Sequence, residues 1–210
     1  QTVPARPVDH RIISRLWHRR FPRPFPPLLM VHSLTGDGND RITGNNLGNK
    51  IYGMRGNDTI AGGLGADLLD GGQGNDSVLG GDGNDQALGG VGNDVLLGGI
   101  GFDGLAGQAG NDTLLGEAGN DTLTGGAGAD DFVFSRRGGA DRITDFTRTQ
   151  GDQIFLDDAL WTGTRSASQV VTSFATVTAD GVLFNFGTNG TLLLQGVSST
   201  SGLAALIEIY

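Results

Sequence analysis

The chain is predicted to be all-β, a parallel solenoid of short strands closed at its C-terminal end by a β cap. Three observations point there. A nine-residue pattern runs from Thr35 to Val133 without insertion, glycine and Asp recur at fixed places within it, and one apolar residue follows each Asp by two places. A fixed short period of this kind is the signature of a repeat architecture whose units bury a core only by stacking. The clearest copy is GGQGNDSVL, from Gly71 to Leu79.

Each offset has a physical task. The fourth position is Gly in ten of eleven copies, Leu47 being the exception, and glycine supplies the positive φ of a tight turn at little steric cost. The sixth position is Asp40, Asn49, Asp58, Asp67, Asp76, Asp85, Asp94, Asp103, Asp112, Asp121 and Asp130. The eighth is Ile42, Ile51, Ile60, Leu69, Val78, Ala87, Leu96, Leu105, Leu114, Leu123 and Phe132, always apolar and weakest at Ala87. Residues such as Ser77, Val78 and Leu79 then form a short strand whose middle side chain points inward. One nonapeptide is turn plus strand, and two close one eighteen-residue coil of a parallel β-roll. A flexible glycine-rich linker needs no such fixed offsets.

Stacking at eighteen residues aligns Asp40, Asp58, Asp76, Asp94, Asp112 and Asp130 on one edge, and Asn49, Asp67, Asp85, Asp103 and Asp121 on the other. Turn carbonyls beside a carboxylate make an all-oxygen donor set, which suits a hard cation taking six to eight oxygens. Calcium fits better than magnesium, which prefers a tight octahedron and keeps its waters, and transition metals call for the His or Cys that the repeat never supplies. The ten Asp residues are the candidate metal ligands. Asn49 lacks the charge and Leu47 the glycine turn, so the first gap on the second edge is weak, and the remaining gaps are expected to hold about eight ions. A purely structural role for the Asp residues as turn formers runs against charge. Between Thr35 and Phe134, fifteen Asp and Glu face only Arg41, Lys50 and Arg55, a balance of −12. Without cations the stacked loops repel.

The magnitudes suit a switch. With dissociation constants of about 0.1 mM, calcium at about 2 mM adds roughly 1.8 kcal/mol per site and about 14 kcal/mol over eight independent sites, against a folding stability of about 5–15 kcal/mol. At about 0.1 μM calcium the contribution nearly vanishes. The expectation is a repeat block unfolded at cytosolic calcium and rigid outside the cell.

These residues resemble the RTX, or hemolysin-type calcium-binding, repeats of bacterial proteins. The resemblance covers Thr35 to Val133. It continues in GADDFVFS from Gly128, ADRITDF from Ala140 and GDQIFL from Gly151, which are similar to the region after the repeats in serralysin-like C-terminal domains. It implies a right-handed β-roll, export by a type I (ABC-transporter) secretion machinery, an uncleaved C-terminal signal, and calcium-driven folding outside the cell. The tail Ile207-Glu208-Ile209-Tyr210, one acidic residue among apolar ones, is similar to such signals.

The rest of the chain divides around the repeats. Residues 1–34 read as a poorly ordered Arg/Pro-rich arm, with Arg6, Arg11, Arg15, Arg19, Arg20 and Arg23 against Asp9 and all six prolines of the chain. Within it Arg11 to Arg20 has the pattern of a short basic helix suited to an acidic surface, while a linker or sequence upstream of a start at Met30 accounts for the same residues. Residues 35–134 are the β-roll and 135–210 the β cap. In the cap Ile154 to Leu156, Val170 to Thr178, Val182 to Phe186 and Thr191 to Gln195 read as strands, joined by turns at Ala179-Asp180-Gly181 and Thr188-Asn189-Gly190. Asp141, Asp145 and Asp152 are candidates for one further calcium, with turn and surface roles as the plainer reading.

No catalytic constellation is found in the sequence. His10, His18 and His32 fall in the arm, and neither an HExxH helix nor a GxSxG elbow occurs. The chain has no Cys, hence no disulfide or thiolate site. A pI near 4.5 argues against nucleic acid, and no apolar run has the length of a membrane span. The expected function is a non-enzymatic, secreted calcium-binding module, with an adhesion or matrix role as an extension. The alternative is the export and folding module of a larger secreted protease, lipase or polysaccharide epimerase. Cell-surface polysaccharide is a further candidate partner, weakened by the scarcity of aromatics in the repeats beyond Tyr52 and Phe102.

Overall fold

The computed structural model describes residues 32–210. Nearly all of them belong to one parallel β-solenoid and its cap. The first seven strands are β1 (His32–Leu34), β2 (Arg41–Thr43), β3 (Lys50–Tyr52), β4 (Thr59–Leu64), β5 (Leu68–Gln73), β6 (Ser77–Asp82) and β7 (Gln86–Val91). They are followed by β8 (Val95–Gly101), β9 (Gly104–Ala109), β10 (Thr113–Gly119), β11 (Thr122–Ala127), β12 (Asp131–Phe134), β13 (Gly139–Ile143) and β14 (Gln153–Leu156). His32–Leu34, the last residues of the segment read as the arm, already form a strand paired with β3. The basic helix expected over Arg11–Arg20, with His10 and His18, lies outside the described residues.

From β1 to β12 every strand pairs in parallel with the one two places later, and through the repeats the register is eighteen residues: Ile60 with Val78, Val78 with Leu96, Leu96 with Leu114. The eighth-position residues therefore stack in two columns. Ile60, Val78, Leu96, Leu114 and Phe132 form one, and Ile51, Leu69, Ala87, Leu105 and Leu123 the other, each residue at most 2% exposed. Two sheets face each other across this narrow core. Full burial of one such aliphatic side chain is worth about 1.5–3 kcal/mol, so each coil contributes little apolar stabilisation of its own and depends on its neighbours.

The solenoid continues past the repeats. β12 pairs in parallel with β14, and β11 with β13. The chain then forms helix α1 (Ala167–Phe174) and strands β15 (Ala175–Val177), β16 (Gly181–Asn185), β17 (Gly190–Gln195) and β18 (Ile207–Ile209). β15, β16 and β17 make an antiparallel meander. β17 then lies parallel on β13, and β18 parallel on β14, so both sheets receive a last strand from the cap. The tail read as an export signal is thus the final strand of one sheet, with Ile207 against Ile154.

One expectation in the cap is corrected. Val170–Thr178 reads as a strand because of its β-branched residues, yet Ala167–Phe174 is helical and only Ala175–Val177 is extended. A capping box decides this: Ser166 Oγ accepts from the Gln169 N–H, and Gln169 Oε1 accepts from the Ser166 N–H at 2.8 Å. The helix buries Val170 and packs Phe174 against Phe186, with ring centroids 5.3 Å apart. Trp161 stacks on Phe174 at 5.8 Å, and Phe134 joins Phe186 at 5.6 Å. These rings continue the apolar core of the roll into the cap without a break.

Candidate metal centre

Ten of the eleven repeat turns are made by a fourth-position glycine, as at Gly74 with φ 129° and Gly92 with φ 135°, values that L residues rarely adopt. The turn delivers the Asp two residues later to the edge of the core, where it is buried. The backbone N–H of each Asp donates to Oδ1 of the Asp in the next coil: Asp58 to Asp76 at 2.7 Å, Asp67 to Asp85 at 2.8 Å, Asp76 to Asp94 at 2.7 Å, Asp94 to Asp112 at 2.8 Å. All these bonds run one way, so the carboxylate of a later coil holds the loop of the earlier one.

The second oxygen of each carboxylate has no partner. Oδ2 of Asp58, Asp67, Asp76, Asp85, Asp94, Asp103, Asp112, Asp121 and Asp130 is buried without a hydrogen bond. What surrounds it is acceptor, not donor. A Cβ placed on Gly71 would meet Asp76 Oδ2 at 2.5 Å and the Gly89 carbonyl oxygen at 2.6 Å. The same cradle of one carboxylate oxygen and one carbonyl oxygen recurs above Gly53, Gly62, Gly80, Gly89, Gly98 and Gly107. Two buried acceptors facing one point with no donor are costly unless a cation satisfies both.

The two exceptional gaps differ as their residues require. Above Gly44 it is Asn49 Nδ2 that stands near the Gly62 carbonyl. That amide also donates to Asp67 Oδ1 at 2.9 Å and to the Leu47 carbonyl. The weak gap expected at Asn49 is thus one where a side-chain donor stands in the place of Oδ2. Asp40 is only half-buried, and its Oδ2 lies 3.5 Å from the Gly36 N–H, so the Asp40–Asp58 gap lacks the cradle of the later ones.

Burial raises the carboxyl pKa along the ladder. It carries Asp76, Asp85 and Asp112 to about 6, with neighbouring carboxylates adding to the effect, and Asp121 also to about 6. Asp58, Asp94, Asp103 and Asp130 are raised by the same desolvation.

Both ladders outrun the repeats. The Asp121 N–H donates to Asp141 Oδ1 at 3.0 Å, and the Asp130 N–H to Asp152 Oδ1 at 3.2 Å, across twenty and twenty-two residues instead of eighteen. Asp152 Oδ2 accepts from the Thr147 N–H at 2.6 Å, and Asp145 accepts from the Gly125 and Gly126 N–H groups. The three residues do not converge on one point: Asp141 and Asp152 end separate ladders, and Asp145 is engaged by two backbone N–H groups within β11. Among the described residues no group of three His, Cys, Asp or Glu side chains forms a metal cluster. The ladder instead brings carboxylates and carbonyls together in pairs.

A second ladder goes beyond the sequence expectations. Asn57 N–H donates to Asn39 Oδ1, Asn75 N–H to Asn57 Oδ1, Asn93 N–H to Asn75 Oδ1 and Asn111 N–H to Asn93 Oδ1, at 2.8–2.9 Å. Its polarity is opposite to that of the Asp ladder, so each loop is tied in both directions. The sequence carries the signal for it: the fifth position is Asn in seven of eleven copies.

A parallel solenoid whose turns stack buried carboxylates against carbonyl oxygens is a cation-binding repeat module. The sequence profile of the RTX calcium-binding nonapeptide repeat matches it four times, over residues 34–69, 43–78, 70–105 and 106–135. Residues 34–135 belong to that repeat family, whose repeats bind calcium. Among curated proteins, none matches the chain in sequence. Among solved structures, the chain is similar to the extracellular lipase LipA from Serratia marcescens, at 20% identity over 85% of this chain and 40% of that one, with a TM-score of 0.40. It is also similar to the AlgE6R3 subunit of the Azotobacter vinelandii mannuronan C5-epimerase, at 22% identity over 88% of this chain and 86% of that one, with a TM-score of 0.29. The chain spans about two fifths of the length of that lipase.

Proposed function

We propose that this chain is a non-enzymatic, secreted calcium-folded module: a roll over residues 35–134 that becomes rigid when calcium enters the gaps between its coils, and a cap over 135–210 that ends it. The observation that carries this reading is the stack of nine buried, unpartnered Asp Oδ2 atoms. Asp58, Asp67, Asp76, Asp85, Asp94, Asp103 and Asp112 face a carbonyl across a gap, and Asp40, Asp121 and Asp130 flank the first and last gaps. Calcium in the seven cradles would bring +14 and so reverse the −12 balance of the repeats. Low calcium inside the cell then keeps the chain unfolded for a type I exporter, and millimolar calcium outside folds it. The absence of Cys is consistent with this route, since no disulfide has to form after export.

The test is far-UV circular dichroism of the purified chain during a calcium titration, with magnesium as control. A cooperative coil-to-β transition between about 0.1 and 1 mM calcium, absent with magnesium, is expected. Full β structure in excess chelator overturns the reading.

A further inference from the structure

We propose that a groove on the first three coils binds a neutral saccharide. The groove, about 550 Å³, is lined by Asp37, Tyr52, Met54, Arg55, Asp70 and Gln73 beside Gly72. The repeat itself does not explain these residues. Asp37, Arg55 and Gln73 stack in register, and the same column continues as Val91, Ala109 and Ala127. Tyr52 pairs with Asp70, and that column continues as Leu88, Ala106 and Thr124. Planar polar groups and one aromatic ring thus stand on the early coils where, on the later ones, the same two columns are mostly small or aliphatic.

The chemistry of the lining selects the ligand class. A sugar offers an apolar C–H face suited to Tyr52 and the half-exposed Met54, and a rim of hydroxyls that both donate and accept. The Asp37 and Asp70 carboxylates accept from hydroxyls, Arg55 donates, and Gln73 does both. Successive strands lie about 4.8 Å apart, so the polar groups form a ladder along which a linear chain of sugars can lie. Arg55 is held 3.8 Å from Asp37, which leaves the Asp70 carboxylate as the net charge of the groove. That charge disfavours acidic sugars. None of these side chains belongs to the Asp ladder, so calcium-driven folding and sugar binding can fail independently.

Isothermal titration in saturating calcium tests the proposal, with cellohexaose, laminarihexaose and maltohexaose as neutral probes and hexagalacturonate as the acidic one. At least one neutral hexasaccharide is expected to bind, Tyr52→Ala and Asp70→Asn each to weaken it at least tenfold, and hexagalacturonate to bind at least tenfold more weakly. Circular dichroism in calcium checks the fold of each variant, and Gln73→Ala replaces Tyr52→Ala if that variant does not fold. Binding by none of the neutral probes, unchanged affinity in the folded variants, or equal affinity for hexagalacturonate overturns it.

Discussion

The second position of each repeat lies at positive φ wherever it is glycine from Gly63 to Gly126, between 104° and 116°. Met54, Gln108 and Glu117 occupy the same offset at φ 77°, 78° and 68°. An L residue held in that region costs about 1–2 kcal/mol, and glycine's extra chain entropy offsets about 0.5–1 kcal/mol of the relief. Glu117→Gly is therefore expected to stabilise the calcium-loaded roll by about 0.5–1 kcal/mol, read as a rise of a few degrees in thermal midpoint. It also removes a carboxylate that raises the pKa of Asp103. Gly126→Ala tests the converse, since its Cβ would collide with the Gln108 carbonyl oxygen; an unchanged midpoint in both variants would show that this backbone strain is absent. The Asp and fourth-position Gly offsets were legible in the sequence because each has a single chemical task. The burial of the first-position glycines under Asp Oδ2 was not, because it depends on which coil lies next.

At the scale of elements, the repeats are interchangeable and the ends are not. Each strand from β3 to β12 has a parallel neighbour on both sides, whereas β14 is covered on its outer side by the three residues of β18. Deleting residues 207–210 exposes the parallel edge of β14 together with Ile154 and Leu156. An open edge of this kind recruits other chains. The truncated protein is expected to bind calcium with a higher midpoint and to self-associate, measured by circular dichroism and size-exclusion chromatography; a monomer with an unshifted midpoint would show that β18 does not hold the end of the solenoid. The strands of the meander were legible from alternating apolar residues. Helix α1 was not, because Val170, Val171 and Thr172 favour extended backbone and the Ser166–Gln169 box outweighs them locally.

Across the whole molecule the carboxylates form two columns, one on each edge, and under the proposed function protons and calcium compete for both. In the metal-free roll, burial holds Asp76, Asp85, Asp112 and Asp121 near 6 and Asp141 near 8, above the unfolded carboxyl value. Groups raised in this way stabilise the fold fully below the unfolded pKa of about 4 and lose that contribution as pH rises through the folded values. In chelator, the chain is expected to gain β structure as pH falls from about 7.5 to about 4.5. In calcium the sign reverses: the midpoint of the titration is expected to rise below pH of about 6, as protons displace the ion. Circular dichroism at the two pH values checks both, and no gain of β structure in acid chelator would mean that repulsion does not limit the metal-free fold. The period, the turns, the core columns and the acidic ladder were determined by the sequence alone, because each nonapeptide carries its own turn chemistry and one inward side chain. Only the tertiary structure decided the direction of the Asp and Asn ladders, the extension of both edges to Asp141 and Asp152, the groove on the early coils and the use of the C-terminal tail as a strand. Those features arise between residues eighteen or more positions apart, where the partner is set by how coils stack and not by the local sequence.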